Sequence, residues 1–430
     1  MMKRLSFLLL LFVSINLTAQ MKIEVKNILD GTFRQENVRN FNWMKDGQFY
    51  SELSGNKIVK SSIVDKAKKT TLFDGSAYSV RIAGYTFSAD EKKILIVTNR
   101  KSIYRRSFTA DYYVYDVANK DLKKLSNGGP QSYATFSPDG KMVAFTRGNN
   151  LFVTTLVTMS EKQITEDGEF NKIINGSSDW VYEEEFTITK AFFWSPDSKK
   201  IAFIRFDESG VKEYNMQVWN DGDLYPEDYR YKYPKAGESN SVVEVHIQNL
   251  DNNRKVKVDI GDEKDIYIPR IMWTKDADLL SIQRLNRLQN KLDILHADAG
   301  SGKSQLIYSD KSKTYVDITF TDDLMYLDNG REFLFSSETD GYKHFYLHRM
   351  DGQLINQVTQ GKWEAESFVA LDQSEKKPVL YYLSTEVSPL ERHLYKIRLD
   401  GKRKERLSLA DGYNSVDMSN DAKYYILKNS

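Results

Sequence analysis

The chain has 430 residues, and its 61 Lys and Arg residues almost balance its 60 Asp and Glu residues, so the formal net charge is +1. Such a balance argues against a nucleic-acid partner, because proteins that bind nucleic acids usually carry an excess of basic residues. The hydrophobic share of 40% excludes an intrinsically disordered chain, and the lack of cysteine excludes disulfides, thiolate zinc sites and cysteine nucleophiles.

Residues 1–20 have the layout of a secretory signal peptide. Lys3 and Arg4 precede an apolar stretch over residues 5–17, and small and polar residues follow it. That stretch is shorter than the roughly 20 residues that span a bilayer as a helix. We therefore expect a protein that is exported to the periplasm or the exterior, is soluble after signal cleavage, and has no membrane partner.

A short sequence unit recurs along residues 41–430. Each copy has an aromatic or apolar residue, then a turn rich in Asp, Asn, Gly and Ser, and then an apolar strand. The eight copies begin at Trp43, Phe87, Phe136, Trp194, Trp273, Tyr326, Leu371 and Met418. Asp-Gly and Asp-Ser pairs between apolar runs favour hairpins, and four short strands in about 45 residues are typical of one propeller blade. The repeat predicts an all-β fold, an eight-bladed β-propeller with four-stranded antiparallel blades.

Two gaps between copies are longer than the repeat requires. The gap before Trp194 contains residues 178–186, and the gap before Trp273 contains residues 213–235, which are rich in Tyr and Asp. Insertions in a propeller lie in loops on one face, where function is usually found.

Three consecutive carboxylates, Glu183, Glu184 and Glu185, lie in the first insertion between Trp180 and Phe186. A run of Glu is usually a solvated face, but the aromatic neighbours favour a position at the edge of a packed cluster. Neighbouring side chains alternate between the two faces of a strand, whereas on a helical turn two long Glu side chains can converge. Converging carboxylates would bind an ammonium group through hydrogen bonds of roughly 1.5–3 kcal/mol each.

The residues around this insertion resemble a known family. Residues 179–186, 193–197 and 233–237 are similar to segments in the propeller of the dipeptidyl peptidase IV family, and the similarity extends over residues 22–430. Further similar segments lie at residues 104–110, 338–344, 361–364, 394–397 and 421–425.

The resemblance implies a role for three residues. Glu184 and Glu185 would hold the free α-ammonium of a peptide, with only two residues between that amine and the cleaved bond. Arg105 would contact a substrate carbonyl; without the resemblance it reads as one cation of a basic surface cluster over residues 100–106. Tyr315 stands where the family often has Trp, so we carry over no contact beyond the first two substrate residues.

The family's catalytic triad of Ser, Asp and His belongs to an α/β-hydrolase domain that follows the propeller. The chain contains no Gly-x-Ser-x-Gly elbow; the nearest string, residues 237–241, lacks the final Gly and leads into a strand. We expect this domain to be absent from the chain, and the chain alone to be inactive. Residues 21–40 resemble the lead-in that packs near the hydrolase domain, so the chain reads as a fragment, a truncated product or half of a split system.

The resulting hypothesis is the gating and N-terminus-recognising propeller of an exported serine dipeptidyl aminopeptidase that releases X-Pro or X-Ala dipeptides. Its expected partners are peptides with a free N-terminus and an α/β-hydrolase domain, with no nucleic acid, cofactor or metal. Two alternatives stay open: a propeller that binds peptides or proteins without chemistry, and the propeller of a prolyl tripeptidyl peptidase.

Overall fold

The computed structural model describes residues 23–32, 41–65, 67–374 and 376–430. The predicted signal peptide, residues 1–20, lies outside the described residues. An N-terminal unit extends to Phe41, and a larger unit contains residues 42–430. In the N-terminal unit the predicted lead-in contains a short helix, α1 (Val25–Leu29), and its apolar side chains at Ile23, Val25, Ile28 and Leu29 are exposed.

The larger unit begins with three antiparallel sheets of four strands each, numbered here in chain order. Sheet 1 contains β1 (Asn42–Trp43), β2 (Phe49–Ser54), β3 (Lys57–Ser62) and β4 (Lys69–Asp74). Sheet 2 contains β5 (Gly84–Phe87), β6 (Lys93–Ser102), β7 (Phe108–Asp116) and β8 (Asp121–Lys124). Sheet 3 contains β9 (Ser132–Phe136), β10 (Met142–Arg147), β11 (Asn150–Thr155) and β12 (Ser160–Gln163). A 3₁₀ helix, Gly75–Tyr78, follows sheet 1.

The next segment carries both long insertions. Its elements are β13 (Ile173–Asn175), helix α2 (Trp180–Glu185), β14 (Phe192–Trp194), β15 (Lys200–Asp207), β16 (Glu213–Val218), β17 (Glu227–Lys232), β18 (Val242–Asn249) and β19 (Lys255–Lys257). Sheet 4 has the order β13-β15-β18-β19, and β14 also pairs with β15. Strands β16 and β17 form a separate exposed hairpin, which we call the arm.

Sheets 5 to 8 complete the larger unit. Sheet 5 contains β20 (Ile266–Trp273), β21 (Leu279–Asn286), β22 (Lys291–Asp298) and β23 (Ser304–Lys311), followed by a 3₁₀ helix, Ile318–Asp323. Sheet 6 contains β24 (Met325–Tyr326), β25 (Glu332–Ser337), β26 (His344–Arg349) and β27 (Leu354–Gln357). Sheet 7 contains β28 (Ala365–Asp372), β29 (Val379–Ser384), β30 (His393–Arg398) and β31 (Glu405–Arg406). Sheet 8 has two described strands, β32 (Asn414–Met418) and β33 (Tyr425–Asn429). The prediction of an all-β fold is confirmed, and six of the eight numbered sheets have the predicted four antiparallel strands, whereas sheet 4 has five and sheet 8 has two described strands.

In every sheet a copy of the repeated sequence unit begins near the end of an early strand, which is the first strand except in sheet 4, where β13 precedes β14. Seven of its eight copies start at the last residue of a strand, and the copy at Leu371 starts one residue before the end of β28. The turn that follows has a local cause, because a Ser hydroxyl donates to the Asp two residues later. This bond is 2.6–2.7 Å long in the four copies Ser88–Asp90, Ser137–Asp139, Ser195–Asp197 and Ser419–Asp421. The Asp–Gly and Asp–Ser turns are thus structural elements of the repeat.

The first and last sheets touch each other. The indole Nε1 of Trp43 in sheet 1 donates to Oδ1 of Asp417 in sheet 8, at 3.0 Å. The buried side chains of the central strands form several apolar clusters. The largest of these clusters joins sheets 4, 5 and 6. Helix α2 contributes Val181 and Tyr182 to that cluster, and Phe186, the residue that follows the helix, also belongs to it.

Candidate functional site

Helix α2 projects from one edge of sheet 4. Strands β13 and β14 pair with the two halves of the same neighbour, β15, with Ile174 opposite Phe206 and Phe192 opposite Phe203. Residues 176–191 between them therefore leave the sheet and return to the same edge. This excursion carries the helix and its carboxylates without interrupting the sheet.

The chain becomes helical at this point because of Asp179. Its backbone is extended, and its Oδ1 accepts the amide of Tyr182 at 2.9 Å, which is the bond of a helix N-cap. The second carboxylate oxygen accepts the hydroxyl of Ser241 at 2.6 Å. Burial raises the pKa of Asp179, and these hydrogen bonds oppose the shift. From sequence alone, the three glutamates could lie on a strand or on a helical turn. In the structure they lie on a helix.

The apolar side of α2 fixes the helix to the neighbouring sheets. Tyr182 is fully buried, and its hydroxyl accepts the backbone amide of Ile268 in sheet 5 at 2.9 Å. Phe186 packs on Tyr182 and Tyr267, with ring centroids 5.0 and 5.1 Å away. Trp180 lies against Tyr233, just beyond the arm, at 4.1 Å. These contacts anchor the helix to sheet 5, through Ile268 and Tyr267, and to Tyr233 of the segment after the arm.

This packing gives the three glutamates different environments. Glu183 is 1% exposed, the side chain of Glu184 is 17% exposed, and Glu185 is exposed to solvent. Glu185 lies close enough to Tyr315 to affect it electrostatically. The pKa of Tyr315 is raised by burial and by the negative charges of Asp317 and Glu185. The carboxylates of Glu184 and Glu185 thus lie at the rim of the packed cluster, as the sequence predicts for all three glutamates, whereas Glu183 differs from that prediction because it is buried.

Arg105 reaches the helix from sheet 2. It lies in residues 103–107, the β6–β7 loop, and its Nε donates to Glu184 at 2.9 Å to Oε2 and 3.2 Å to Oε1. The Arg105 side chain is 71% exposed, and Arg106 approaches the same carboxylate at 3.8 Å. Of the three residues predicted from sequence, the structure brings Arg105 and Glu184 into contact and places Glu185 next to them on the helix.

Sheet 3 lies between sheet 2, which carries the β6–β7 loop, and sheet 4, which carries helix α2, and it contacts both. Ser132 donates to the carbonyl of Phe108 in sheet 2 at 2.7 Å. On the other side, Ser177 donates to Thr146 of sheet 3 at 2.9 Å. The β6–β7 loop and helix α2 therefore meet across an intervening sheet.

A cavity of about 220 Å³ behind α2 contains a carboxylate that sequence reasoning missed. Glu208, the residue after β15, is 6% exposed and lines this cavity with Tyr104, Asp179 and Glu183. Burial, together with the charge of Asp179, raises the pKa of Glu208 to about 7. No local motif marks this residue, because its environment comes from distant segments.

No group of three or more His, Cys, Asp or Glu residues in the described part of the chain is arranged to hold a metal ion. The described helices include none that is both long and apolar enough to cross a membrane.

A family model of the dipeptidyl peptidase IV (DPP IV) N-terminal region matches residues 88–430. The chain belongs to the dipeptidyl peptidase IV family. The resemblance identified from its motifs is thereby confirmed, and the match places the chain in the N-terminal region of that family.

Individual relatives agree with this assignment. A protein named probable dipeptidyl peptidase 4 from Emericella nidulans is 31% identical over 406 residues, which cover 89% of this chain and 51% of that protein. Dipeptidyl peptidase 4 of Arthroderma otae is 29% identical, with coverage of 89% and 50%. The crystal structure of Porphyromonas gingivalis dipeptidyl peptidase 4 has a TM-score of 0.89 and 38% identity, and the match covers 96% of this chain and 59% of that one. The chain thus spans about half the length of the curated relatives it matches.

Proposed function

We propose that this chain is the eight-bladed propeller of an exported serine dipeptidyl aminopeptidase, and that it holds the N-terminus of a peptide with Glu184, Glu185 and Arg105. The observation that carries the proposal is the pairing of the Arg105 loop with helix α2, in a chain of the dipeptidyl peptidase IV family. Cleavage would be performed by an α/β-hydrolase domain, which releases X-Pro or X-Ala dipeptides.

The eight-bladed arrangement is supported by the repeat. Eight sheets in the described residues each carry one copy of the sequence unit, and sheets 1 and 8 are joined by the bond from Trp43 to Asp417. In this proposal each sheet is one blade, and helix α2 stands on the blade formed by sheet 4.

The chemistry of capture follows from charge. Arg105 offsets the charge of Glu184 through Nε alone, and within the described residues its terminal guanidinium nitrogens donate no hydrogen bond. Those nitrogens can donate to a peptide carbonyl, while Glu184 and Glu185 accept the three hydrogens of an α-ammonium. Together these groups select a free N-terminus and gate which peptides reach the catalytic domain.

The test is titration calorimetry of the chain with the peptide Ala-Pro-Ala-Phe and with its N-acetylated form. We expect only the free amine to bind, and Glu184→Gln and Glu185→Gln each to weaken binding by roughly 10- to 150-fold, because each removes a charge-assisted hydrogen bond. Glu166→Gln, an exposed acid elsewhere, is the matched control.

Equal binding of the acetylated peptide would contradict the proposal and favour a propeller that binds proteins without recognising an amine. Loss of binding in only one of the two glutamate variants would favour the tripeptidyl alternative, in which a single carboxylate holds the amine.

A further inference from the structure

We propose that Glu183 is a positioning residue that fastens the Arg105 loop to helix α2, an inference that rests on the proposed function of Arg105. Glu183 itself has no part in holding the peptide in that proposal, and its side chain is too buried to meet one. Its contacts are instead with the backbone of the loop.

A single carboxylate oxygen holds the loop. Oε1 of Glu183 accepts the backbone amide of Arg106 at 2.6 Å and that of Ser107 at 2.9 Å. The backbone carbonyl of Glu183 also accepts Nη1 of Arg106, at 3.0 Å. Three hydrogen bonds therefore join one helical residue to two adjacent loop residues that lie 76 and 77 positions away in the sequence.

The β6–β7 loop is a compact turn closed by its own hydrogen bonds, so anchoring Arg106 and Ser107 also restrains Arg105 at its apex. Ile103 donates its amide to the carbonyl of Ser107 at 2.9 Å, and Tyr104 donates its amide to the Ser107 hydroxyl at 3.1 Å. Arg105 is at the apex of this closed turn. The backbone amide of Arg106, the next residue, is bound to Glu183, so the backbone that carries the Arg105 guanidinium is held in place. Less conformational entropy is then lost when the guanidinium contacts a peptide.

Helix α2 does not depend on this contact for its own position. Asp179 caps it and is bound to Ser241, and Tyr182 ties it to Ile268 of sheet 5. Removing the Glu183 carboxylate should therefore release the loop and leave Glu184 and Glu185 in place. That separation makes the role of Glu183 measurable.

The first measurement is hydrogen exchange of the Arg106 and Ser107 amides in the whole chain. In Glu183→Leu we expect both amides to exchange at least roughly tenfold faster, since each loses its buried acceptor. Glu183→Gln keeps a carbonyl oxygen of the same reach and should stay close to the parent chain, whereas Glu183→Asp, one methylene shorter, should lie between them. Glu166→Leu is the control substitution.

The second measurement is a double-mutant cycle on binding of Ala-Pro-Ala-Phe. We expect Glu183→Leu to weaken binding, though less than Arg105→Ala does, and to have little further effect in the Arg105→Ala background, because it acts through Arg105. Full additivity of the two losses would overturn the positioning role, and so would unchanged amide exchange in Glu183→Leu. If Glu183→Leu does not fold, Glu183→Asp and Glu183→Gln carry the same comparison.

The two measurements separate the two proposals. If the parent chain bound no peptide, the function proposed for Glu184, Glu185 and Arg105 would fail, while the amide exchange would still decide whether Glu183 holds the loop.

Discussion

Adjacent residues of one type have different chemistry here because a single helical turn points them in different directions. Glu183 is buried and accepts backbone amides, Glu184 pairs with Arg105 at the rim, and Glu185 faces solvent. The helix provides this division, since successive side chains diverge by about 100°. Glu208 is a fourth carboxylate nearby, and its carboxylate makes no hydrogen bond or ion pair within the described residues.

Glu208 makes the stability of the chain depend on pH. Its pKa is about 7 in the folded protein, against an ordinary value of 4.5, because burial and the charges of Asp179 and Asp207 outweigh the attraction of Lys232. Between those two pH values the folded state binds more protons than the unfolded state. The free energy of unfolding should therefore fall as pH rises, by up to about 3 kcal/mol.

We predict that Glu208→Gln, which is neutral at every pH, is more stable than the parent chain at pH 8 by up to about 3 kcal/mol and close to it at pH 4.5. Urea denaturation at the two pH values measures this difference, with Glu166→Gln as the control. An equal effect of Glu208→Gln at both pH values would show that Glu208 does not titrate as its burial requires.

At the scale of one element, helix α2 is short and depends on its anchors. Six residues are too few for an isolated helix to be stable in water, so the cap and the buried aromatic face have to hold it. One oxygen of the Asp179 carboxylate accepts the amide of Tyr182 and caps the helix, and the other accepts the hydroxyl of Ser241. The position of the proposed peptide site therefore depends on Asp179, a residue that does not belong to that site.

We predict that Asp179→Ala lowers the free energy of unfolding by about 1–3 kcal/mol and weakens peptide binding, because the N-cap is lost and the Ser241 hydroxyl loses its acceptor. Asp179→Asn should retain most of both properties, since its oxygen can cap the helix and its amide can donate to Ser241. Urea denaturation and peptide calorimetry test the pair. If Asn proved as damaging as Ala, the negative charge of Asp179 would be required, and the capping explanation would be wrong.

At the scale of the whole molecule, the repeat is the feature that sequence predicts best. Its turn signals are local, and in every sheet, from Trp43 to Met418, they correctly mark the end of one strand and the hairpin that leads to the next. The candidate site was predictable only in part. The motif around Glu184 suggested its chemistry, but the contacts of Glu183 with Arg106 and the burial of Glu208 arise between segments far apart in the chain, where no local pattern records them.

The contact between the first and last sheets can be tested. We predict that Trp43→Phe lowers the free energy of unfolding by about 0.5–1.5 kcal/mol, because it removes the hydrogen bond to Asp417 and keeps an aromatic ring. Amide exchange should become faster in both β1 and sheet 8. Trp219→Phe, on an exposed side chain after β16, is the control and should change neither. Faster exchange in β1 alone would indicate that the two sheets do not stabilise each other.

The meeting of the β6–β7 loop and helix α2 across sheet 3 would also give a peptide bound at the proposed site a mechanical role. Such a peptide, held by Arg105 on one side and by Glu184 and Glu185 on the other, would bridge sheets 2 and 4 across sheet 3. By mass action, a ligand at 100 times its Kd stabilises the folded state by about 2.7 kcal/mol. The substrate would thus act as a temporary part of the scaffold, tightening these sheets against one another for as long as it stays bound.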